Sequence, residues 1–266
     1  MSFNKIHPDV IILAAGKGTR MKSDMPKVLT PVAGKPIILH LIDALKSLTT
    51  NPIVVVGHGA DEVKSVLSER AQFVFQTEQK GTGHAVAEVL RTCSSLKEHL
   101  IVMPGDHPMV RAETFHSIAN IHMESGAVVT MATLEVPHYE GHFSVFYNYG
   151  RVLRNDKGEV VGIRERKDAS PEELLVREVS PSYYCFNTEW LRANIAALNE
   201  NNASHEFYLT DMLGIARRKS QKISTILLSD YREAMGINTP EQKMLIEGAF
   251  FASLSSPRSN EHHNTT

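Results

Sequence analysis

Leu13-Ala14-Ala15-Gly16-Lys17-Gly18-Thr19-Arg20-Met21 is the stretch around which the rest of this chain is organised. It follows a short apolar run, Val10 to Leu13, whose lack of polar alternation predicts a parallel strand buried on both faces. Gly16 and Gly18 allow the backbone to turn and to approach a ligand where a Cβ would collide with it. A glycine-rich turn after a strand also exposes backbone N–H groups, which suit phosphate oxygens. The stretch therefore predicts a ligand-binding loop at the end of the first strand.

Basic side chains in and after this loop favour a phosphate ligand. Arg20 can clamp a phosphate with two N–H groups, and Lys27 can act as a compact mobile charge. The alternative for a lone Gly-x-Gly is an ordinary strand-to-helix loop with a basic surface. Two known phosphate loops are excluded. The dinucleotide fingerprint needs glycine where Met21 stands, and no Gly-Lys-Ser/Thr follows at the spacing of a Walker A loop.

Composition narrows the class of protein. The 266 residues are 42% hydrophobic, enough for a full core, and the net charge of −2 does not indicate nucleic acid as a partner. Cys93 and Cys185 lie far apart without metal-ligand spacing, which is typical of reduced thiols in a cytosolic protein. No apolar run reaches the roughly 20 residues of a membrane helix, and the polar segment Met1 to Asp9 lacks the apolar region of a signal peptide. We therefore expect a cytoplasmic protein with no membrane partner, and the sequence leaves its oligomeric state open.

Buried strands and amphipathic helices alternate along the chain, which predicts an α/β fold with a mostly parallel, mixed sheet flanked by helices. The predicted strands are Val10–Leu13, Ile53–Val56, Phe73–Gln76, Leu100–Met103, Ala127–Leu134, Tyr183–Phe186 and Ile223–Leu228. The predicted helices are Ile37–Leu48 after Pro36, Asp61–Ser68, Arg111–Met123 and Tyr208–Lys219, with a last one that begins near Pro240. Arg151–Leu153 and Val160–Arg164 predict a hairpin.

Polar side chains follow several of the predicted strands. Gln76 carries an amide with both a donor and an acceptor, which fits the edge of a pyrimidine base. The Gly81-Thr82-Gly83 that follows is explained equally by a turn before a helix. Asp106 lies just past a strand, where open α/β sheets place ligands, and offers oxygen suited to Mg²⁺; a helix N-cap or turn aspartate is the alternative. His58, between two glycines, is either a site residue or an ordinary loop histidine.

Several motifs together resemble those of the sugar-1-phosphate nucleotidyltransferases. The opening stretch, closed by Pro26-Lys27, is similar to that family residue for residue. The further matches are Gln76 to Ala85, Gly105-Asp106, Tyr149-Gly150-Arg151, Glu165 to Ala169, Asn201 to Asp211 and Gly236-Ile237-Asn238. The resemblance covers roughly residues 9 to 250 and implies a Rossmann-like nucleotidyltransferase fold with a smaller sugar-side β region. The most similar branch is the uridylyltransferases that act on N-acetylglucosamine 1-phosphate.

The resemblance also implies a role for each matching residue. Catalytic roles fall on Arg20, for the departing pyrophosphate, and on Lys27, for the reacting phosphates. The nucleotide would be bound by Leu13, Ala14, Ala15, Gly16, Gly18, Gln76, Gly81 and Thr82, with Gln76 and the Gly81-Thr82 pair at the uracil base. The sugar would be bound by Gly150, Glu165 and Ser180. The magnesium ligands would be Asp106 and Asn238; as an alternative that does not exclude this role, Asn238 is a good N-cap for the helix near Pro240.

The reaction implied by the resemblance joins UTP and N-acetylglucosamine 1-phosphate to UDP-N-acetylglucosamine and pyrophosphate, with Mg²⁺ as cofactor. A sugar phosphate is already ionised at neutral pH, which accounts for the lack of a Ser/His/Asp set. Two alternatives remain: a related transferase with another sugar or nucleotide (CTP or dTTP), and a non-catalytic nucleotide-binding regulator. The clearest departure from the family is Ser180-Pro181-Ser182, where Asn-Thr-Gly is usual, so we expect weaker selection for the 2-acetamido group.

We expect one nucleotidyltransferase domain over residues 1–254, with a sugar-side insertion over 135–190, and a disordered tail over 255–266. Residues 136–149 have little periodicity and five aromatic residues, which indicates a loop or lid over the sugar. His138 and His142 are spaced like a metal pair, but Pro137 and Gly141 argue against the helix that this pairing needs. The bifunctional relatives continue into a β-helix acetyltransferase domain, whose hexapeptide repeats are absent from this sequence, so we expect no acetyltransferase activity.

Overall fold

The computed structural model of the chain describes residues 8–21 and 23–255. The predicted disordered tail over 255–266 lies outside the described residues except for Ser255, which is the last residue of a helix. The strands are β1 (Asp9–Ala14), β2 (Pro31–Val32), β3 (Lys35–Pro36), β4 (Ile53–Val56), β5 (Gln72–Phe75), β6 (His99–Pro104), β7 (Val129–Glu135), β8 (Gly150–Arg154), β9 (Val160–Arg164), β10 (Glu178–Ser180), β11 (Tyr184–Asn187) and β12 (Ile223–Leu227). The α-helices are α1 (Ile37–Ala44), α2 (Ala60–Leu67), α3 (Thr82–Thr92), α4 (Ala112–Ser125), α5 (Thr188–Asn194), α6 (Asp211–Arg218) and α7 (Pro240–Ser255).

Ten of these strands form one mixed sheet, in the order β5-β4-β1-β6-β11-β7-β10-β8-β9, with β12 beside β7. Strands β5, β4, β1 and β6 are parallel to one another. Beyond β6, strand β11 runs antiparallel to both of its neighbours. The predicted α/β class with a mixed sheet flanked by helices is confirmed, and the parallel pairing is concentrated around β1 and in the β7–β12 pair.

The parallel part of the sheet reverses its winding at β1. The chain places β4 and then β5 on one side of β1, and then returns to place β6 on the other side. This is a topological switch point, where the loops after neighbouring parallel strands leave in opposite directions and open a crevice. The crevice lies at the carboxyl ends of β1 and β6, beside Ala14 and Pro104.

Two apolar cores cover the two faces of the sheet. Alternate residues of β1 enter different cores, with Ile12 in one and Ile11 in the other, and Val54 and Val55 of β4 divide in the same way. Because every strand residue meets apolar neighbours, the central strands are continuous apolar runs, as expected for parallel strands covered on both sides.

The antiparallel region beyond β7 forms the smaller β part of the fold. Strands β8 and β9 pair as the predicted hairpin, and β10 pairs with both β7 and β8. A 3-10 helix over Gly141–Asn148 precedes this region, and its Val145 and Phe146 are buried. Residues 136–149 are therefore a packed element with its own core contacts.

The predicted element ends shift by small amounts. Helix α1 begins at Ile37, directly after Pro36, and ends at Ala44, although Leu45 and Leu48 beyond it are still buried. The short β2–β3 hairpin was not predicted; it turns through Ala33 and Gly34, both with positive φ. Within the described part of the chain, no helix has both the length and the apolar character needed to cross a bilayer.

Candidate active site

A cavity of about 570 Å³ opens at the switch point. It is within the size range of small-molecule sites. It is lined by the loops after β1, β5 and β6, by the start of α3, and by three later segments, which contain Glu165, Ser182 with Tyr184, and Glu206 to Thr210. The lining residues are Leu13, Ala14, Ala15, Gly16, Lys17, Lys27, Val28, Gln76, Gln79, Gly81, Thr82, Ala85, Pro104, Asp106, Glu165, Ser182, Tyr184, Glu206, Tyr208, Leu209 and Thr210.

Gly16 and Gly18, the two glycines of the loop after β1, have different structural roles. A Cβ on Gly16 would meet no atom within 4 Å, so this residue leaves an open wall of the cavity. Gly18 has φ +60°, and a Cβ there would lie 2.9 Å from Cβ of Lys27. Glycine at position 18 therefore both permits the turn and lets Lys27 pack against the loop.

The ammonium of Lys27 joins two oxygens that lie far apart in the sequence. Its Nζ donates to Asp106 Oδ2 at 2.5 Å and to Asn238 Oδ1 at 3.0 Å. Arg20 Nη2 donates to the same Asn238 oxygen at 3.0 Å. The structure thus brings the two predicted catalytic cations and the two predicted metal ligands into one cluster at the carboxyl end of β6.

The segment that carries Asn238 is held against Asp106 by a chain of hydrogen bonds. Ile237 N–H donates to the backbone carbonyl of Asp106 at 3.0 Å. Tyr149 Oη donates to Ala234 O and accepts from Gly236 N–H. A Cβ on Gly236 would lie 2.5 Å from the ring of His107, so glycine allows this close approach. These contacts fix the position of Asn238 without using its side chain.

Asn238 is not the N-cap of α7. The helix begins at Pro240, and Thr239 Oγ1 accepts the N–H of Gln242, while Asn238 N–H donates to Gln242 Oε1. The N-cap interpretation of Asn238 is therefore wrong, because Thr239 takes that place. The Asn238 side chain is left to contact Arg20 and Lys27 instead.

Asp106 is nearly buried, and among the described residues its Oδ1 has only a long contact of 3.5 Å with His107 Nε2. Burial alone would raise the pKa of Asp106, but Lys27 and the neighbouring His107 hold it below its ordinary value. Oδ1 is buried and accepts no hydrogen bond from the described residues. An ionised carboxylate with a free oxygen, beside an amide oxygen, is the donor set that Mg²⁺ takes when substrate phosphates complete its shell. The residues present thus fit a magnesium ion.

Gln76 and the start of α3 line the opposite wall. Gln76 is 3% exposed, and its Nε2 donates to Gly81 O at 2.9 Å. Gly81 has φ +104°, and a Cβ there would meet the Phe207 carbonyl at 2.7 Å. Thr82 Oγ1 accepts from Leu209 N–H. The glycine-threonine turn therefore also anchors the 206–209 segment, which carries Glu206 and Tyr208 to the cavity.

The far end of the cavity is acidic. Glu165 Oε1 accepts from Thr210 Oγ1 at 3.0 Å. Burial raises the pKa of Glu165, and Asp211, Asp168 and Glu206 raise it further, with Thr210 opposing them. Cβ of a residue larger than glycine at position 150 would meet Ile163 at 2.6 Å and Glu165 at 3.3 Å, so Gly150 makes room for this carboxyl.

Ser180 lies in β10, where its hydroxyl contacts Tyr184 Oη at 3.1 Å and accepts from Ser182 N–H at 3.2 Å. It is 4% exposed and is not among the residues that line the cavity. Ser182 lines it instead, with φ +63°, a conformation that favours glycine. The sequence pattern that the chain resembles has glycine at this position, and here a serine adopts the left-handed conformation.

Not every residue predicted for the site lines the cavity. Gly18, Arg20, Gly150, Ser180 and Asn238 support it from behind or lie at its edge, as described above. Sequence reasoning assigned no role to the lining residues Ser182, Tyr184, Glu206, Tyr208 and Thr210. The match over Asn201 to Asp211 was the available signal for the last three.

Residues 136–149 contribute none of the lining side chains. Their aromatic rings pack together instead: His142 and Phe143 contact Tyr231, and His138 contacts Phe143. The described residues include no cluster of three or more His, Cys, Asp or Glu side chains suited to a metal. His58 lies in a neighbouring cleft with Lys17 and Gln79.

Comparison with known proteins decides the family. A family model described as a MobA-like NTP transferase domain matches residues 10–208. The chain belongs to this family. It is therefore a nucleotidyltransferase, and the resemblance predicted from its motifs is confirmed.

The curated relatives include the bifunctional protein GlmU of several bacteria. This nucleotidyltransferase is 40% identical to GlmU of Lactobacillus delbrueckii subsp. bulgaricus over 230 residues, which are 86% of this chain and 48% of that protein. It is 43% identical to GlmU of Shouchella clausii over 229 residues, 86% of this chain and 49% of that protein. The chain spans about half the length of the curated relatives it matches.

A solved structure supports the fold. HddC from Yersinia pseudotuberculosis superposes with a TM-score of 0.64 at 18% identity, over 91% of this chain and 99% of that one. A second structure of HddC, in complex with GMP-PN, gives the same values. At this level of identity the likeness concerns the fold of this nucleotidyltransferase and nothing finer.

Proposed function

We propose that the chain joins UTP and N-acetylglucosamine 1-phosphate to give UDP-N-acetylglucosamine and pyrophosphate. One observation carries the proposal: Lys27 contacts Asp106 and Asn238 together, at the end of the cavity beside the glycine loop. A cluster of cations and oxygen ligands there suits a reaction between two polyanions. The relatives at about 40% identity support this choice of reaction.

The phosphate end is built to hold charge in place. Backbone N–H groups of the loop that contains Gly16, together with Lys17, face the triphosphate, and Arg20 holds the departing pyrophosphate. Lys27 neutralises charge that develops as an oxygen of the sugar phosphate attacks the α-phosphorus in line. Such a reaction needs positioning and electrostatic stabilisation, and it needs no general base because the attacking phosphate is already ionised.

Asp106 and Asn238 would hold the magnesium ion. Oδ1 of Asp106 is the free oxygen, since Oδ2 is occupied by Lys27. A bound Mg²⁺ would supply charge neutralisation for the reacting phosphates. Arg20 and Lys27 both donate to the amide oxygen of Asn238, and Lys27 links that oxygen to Asp106 Oδ2.

The acidic end suits a neutral ligand rich in hydroxyl groups. The carboxyl of Glu165 can accept from sugar hydroxyls, with Thr210 fixing its orientation. Ser182 and Tyr184 present further polar groups beside it. We propose that the acetamido group of the sugar is recognised here, by residues other than Ser180, whose hydroxyl is already engaged.

A related transferase for another sugar 1-phosphate or another nucleotide is the second candidate. It is favoured by Ser180-Pro181-Ser182, which departs from the usual pattern at the sugar end. A non-catalytic regulator is disfavoured, because a binding module would have no use for Arg20, Lys27, Asp106 and Asn238 in one cluster.

The deciding experiment measures pyrophosphate release with UTP, CTP, dTTP and GTP, each crossed against N-acetylglucosamine, glucose, galactose and mannose 1-phosphates. The proposal expects the highest turnover with UTP and N-acetylglucosamine 1-phosphate. A higher rate with any other pair would show that the substrates are not the proposed ones. No release of pyrophosphate with any pair would show that the chain does not catalyse the proposed reaction.

A further inference from the structure

The side-chain amide of Gln76 is held in one orientation by two neighbours. Its Nε2 lies 2.9 Å from Gly81 O and 3.0 Å from His84 Nδ1. A carbonyl oxygen can only accept, so the atom next to Gly81 O must be the amide nitrogen. The two N–H bonds of that nitrogen are then directed at Gly81 and at His84.

This arrangement also fixes the tautomer of His84. Because Gln76 Nε2 donates, His84 Nδ1 must accept, and the ring proton is on Nε2. That nitrogen faces Glu88 Oε1 at 3.6 Å, one helical turn along α3. Glu88 is held in turn by Arg91, whose Nη2 donates to its other oxygen at 2.6 Å. A relay of polar contacts, hydrogen-bonded at both ends and joined by the longer 3.6 Å contact between His84 and Glu88, thus runs from the surface of α3 to the cavity wall.

The relay leaves one group of Gln76 for a ligand. Among the described residues both hydrogen bonds of this side chain use its nitrogen, and Gln76 lines the cavity, so its oxygen is the group it offers there. At position N3 uracil carries a donor, the imide N–H, whereas cytosine has a lone pair there and carries its donor on the exocyclic amino group at C4. An oxygen that cannot exchange places with the nitrogen therefore discriminates between the two bases.

We infer that His84 and Glu88 are positioning residues that hold the Gln76 amide as an acceptor and so set the preference for a uracil base over cytosine. The inference rests on the proposed function, in which UTP is the nucleotide. Without an acceptor at position 84 only Gly81 O holds the amide nitrogen, so the orientation of the amide is less strongly fixed and the rotated form, whose nitrogen would pair with cytosine N3, costs less free energy. The expected consequence lies in nucleotide choice, beyond any effect on folding.

The test compares kcat/KM for UTP and for CTP, with N-acetylglucosamine 1-phosphate, in wild type, His84→Leu and His84→Asn. Leucine removes the acceptor, so the UTP-to-CTP ratio should fall by about three- to tenfold, the range of one neutral hydrogen bond. This fall should come from a higher KM for UTP with little change in kcat. Asparagine can place Oδ1 where Nδ1 stood, and its ratio should stay within about twofold of wild type.

His116→Leu is the matched control, because this helical histidine contacts Ser47 away from the cavity and its loss should leave the ratio unchanged. If His84→Leu does not fold, Glu88→Leu carries the same test by removing the carboxylate that keeps the ring proton on Nε2. An unchanged ratio in the folded variant overturns the inference while the proposed function stands. No turnover of UTP by wild type overturns the proposed function and the inference with it.

Discussion

Lys27 Nζ lies 2.5 Å from Asp106 Oδ2, and the same nitrogen contacts Asn238 Oδ1 at 3.0 Å. The contact between Lys27 and Asp106 spans 79 positions of sequence and the contact with Asn238 spans 211. Neither contact follows from local structure. The contact with Asp106 arises because β1 and β6 are neighbouring strands, and the contact with Asn238 arises because the N–H of Ile237 is hydrogen-bonded to the backbone carbonyl of Asp106.

Asp106→Asn should strongly lower turnover while the fold persists. The amide keeps the shape of the side chain but loses the charge that would hold a cation, and such transition-state contacts are worth roughly 3–4 kcal/mol, or 10²–10³ in rate. Initial rates at saturating Mg²⁺ and a thermal melt should be measured together. Asp156→Asn, in the exposed turn between β8 and β9, is the control. If Asp106→Asn turns over at the wild-type rate, the Asp106 carboxylate has no role in the reaction.

Lys27→Ala should lower turnover by about two orders of magnitude, and Lys27→Arg should not restore it fully. The guanidinium is planar and larger than the ammonium, and the space between Asp106, Asn238 and Gly18 is matched to a lysine. Pre-steady-state rates would show the loss in the chemical step. If the arginine variant is as active as wild type, Lys27 contributes only diffuse positive charge.

Glu165→Gln should stabilise the protein near neutral pH and weaken its use of the sugar phosphate. The pKa of Glu165 is higher in the folded state than its ordinary value of 4.5. The folded state therefore holds this proton more tightly, and the stability gained from it at low pH is lost as pH rises through the folded pKa. Glutamine does not titrate, so its advantage in melting temperature over wild type should grow as the pH rises above 4.5, the ordinary pKa of glutamate, through the raised pKa of the folded state.

The same variant should lose about 10- to 100-fold in kcat/KM for the sugar phosphate, since hydrogen bonds to charged groups contribute about 1.5–3 kcal/mol. Glu159→Gln, at the exposed end of the β8–β9 hairpin, serves as the control. A melting-temperature difference that is constant with pH would show that the pKa of Glu165 is not raised in the folded state. An unchanged kcat/KM for the sugar phosphate would show that Glu165 does not bind the sugar.

Ser182→Gly should raise stability by about 1 kcal/mol, because a non-glycine residue in the left-handed region carries roughly that strain. For a chain of this size the melting temperature should rise by about 2–4 °C. Ser220, which has φ +53° but lies away from the cavity, provides a matched glycine substitution. A drop in melting temperature for Ser182→Gly would mean that the serine hydroxyl contributes more than the backbone costs.

The sequence was sufficient to predict the parallel strands and the glycine loop that lines the cavity. Continuous apolar runs predicted β4 and β6 because strands buried on both faces have no polar alternation, and glycines followed by Lys27 marked the loop. The end of the cavity near Glu165 was harder to predict from the sequence. Ser180 and Ser182 differ in whether they face a core or a cavity, which depends on the pairing of β10 with β7 and β8 and on a positive φ. Likewise, the N-cap of α7 is Thr239 and not Asn238. The position of this segment depends on the hydrogen bond from Ile237 N–H to the backbone carbonyl of Asp106, a contact that the sequence does not reveal.

The central claim is that the α-phosphorus of UTP is transferred to a sugar phosphate at the Lys27–Asp106–Asn238 cluster. Its most direct test supplies UTP labelled on the α- or the γ-phosphate, with N-acetylglucosamine 1-phosphate and Mg²⁺, to wild type and to Asp106→Asn. The account predicts that wild type places the α label in the nucleotide sugar and the γ label in pyrophosphate, and that the variant does neither. Release of the γ label as inorganic phosphate, or equal transfer by the variant, would contradict it.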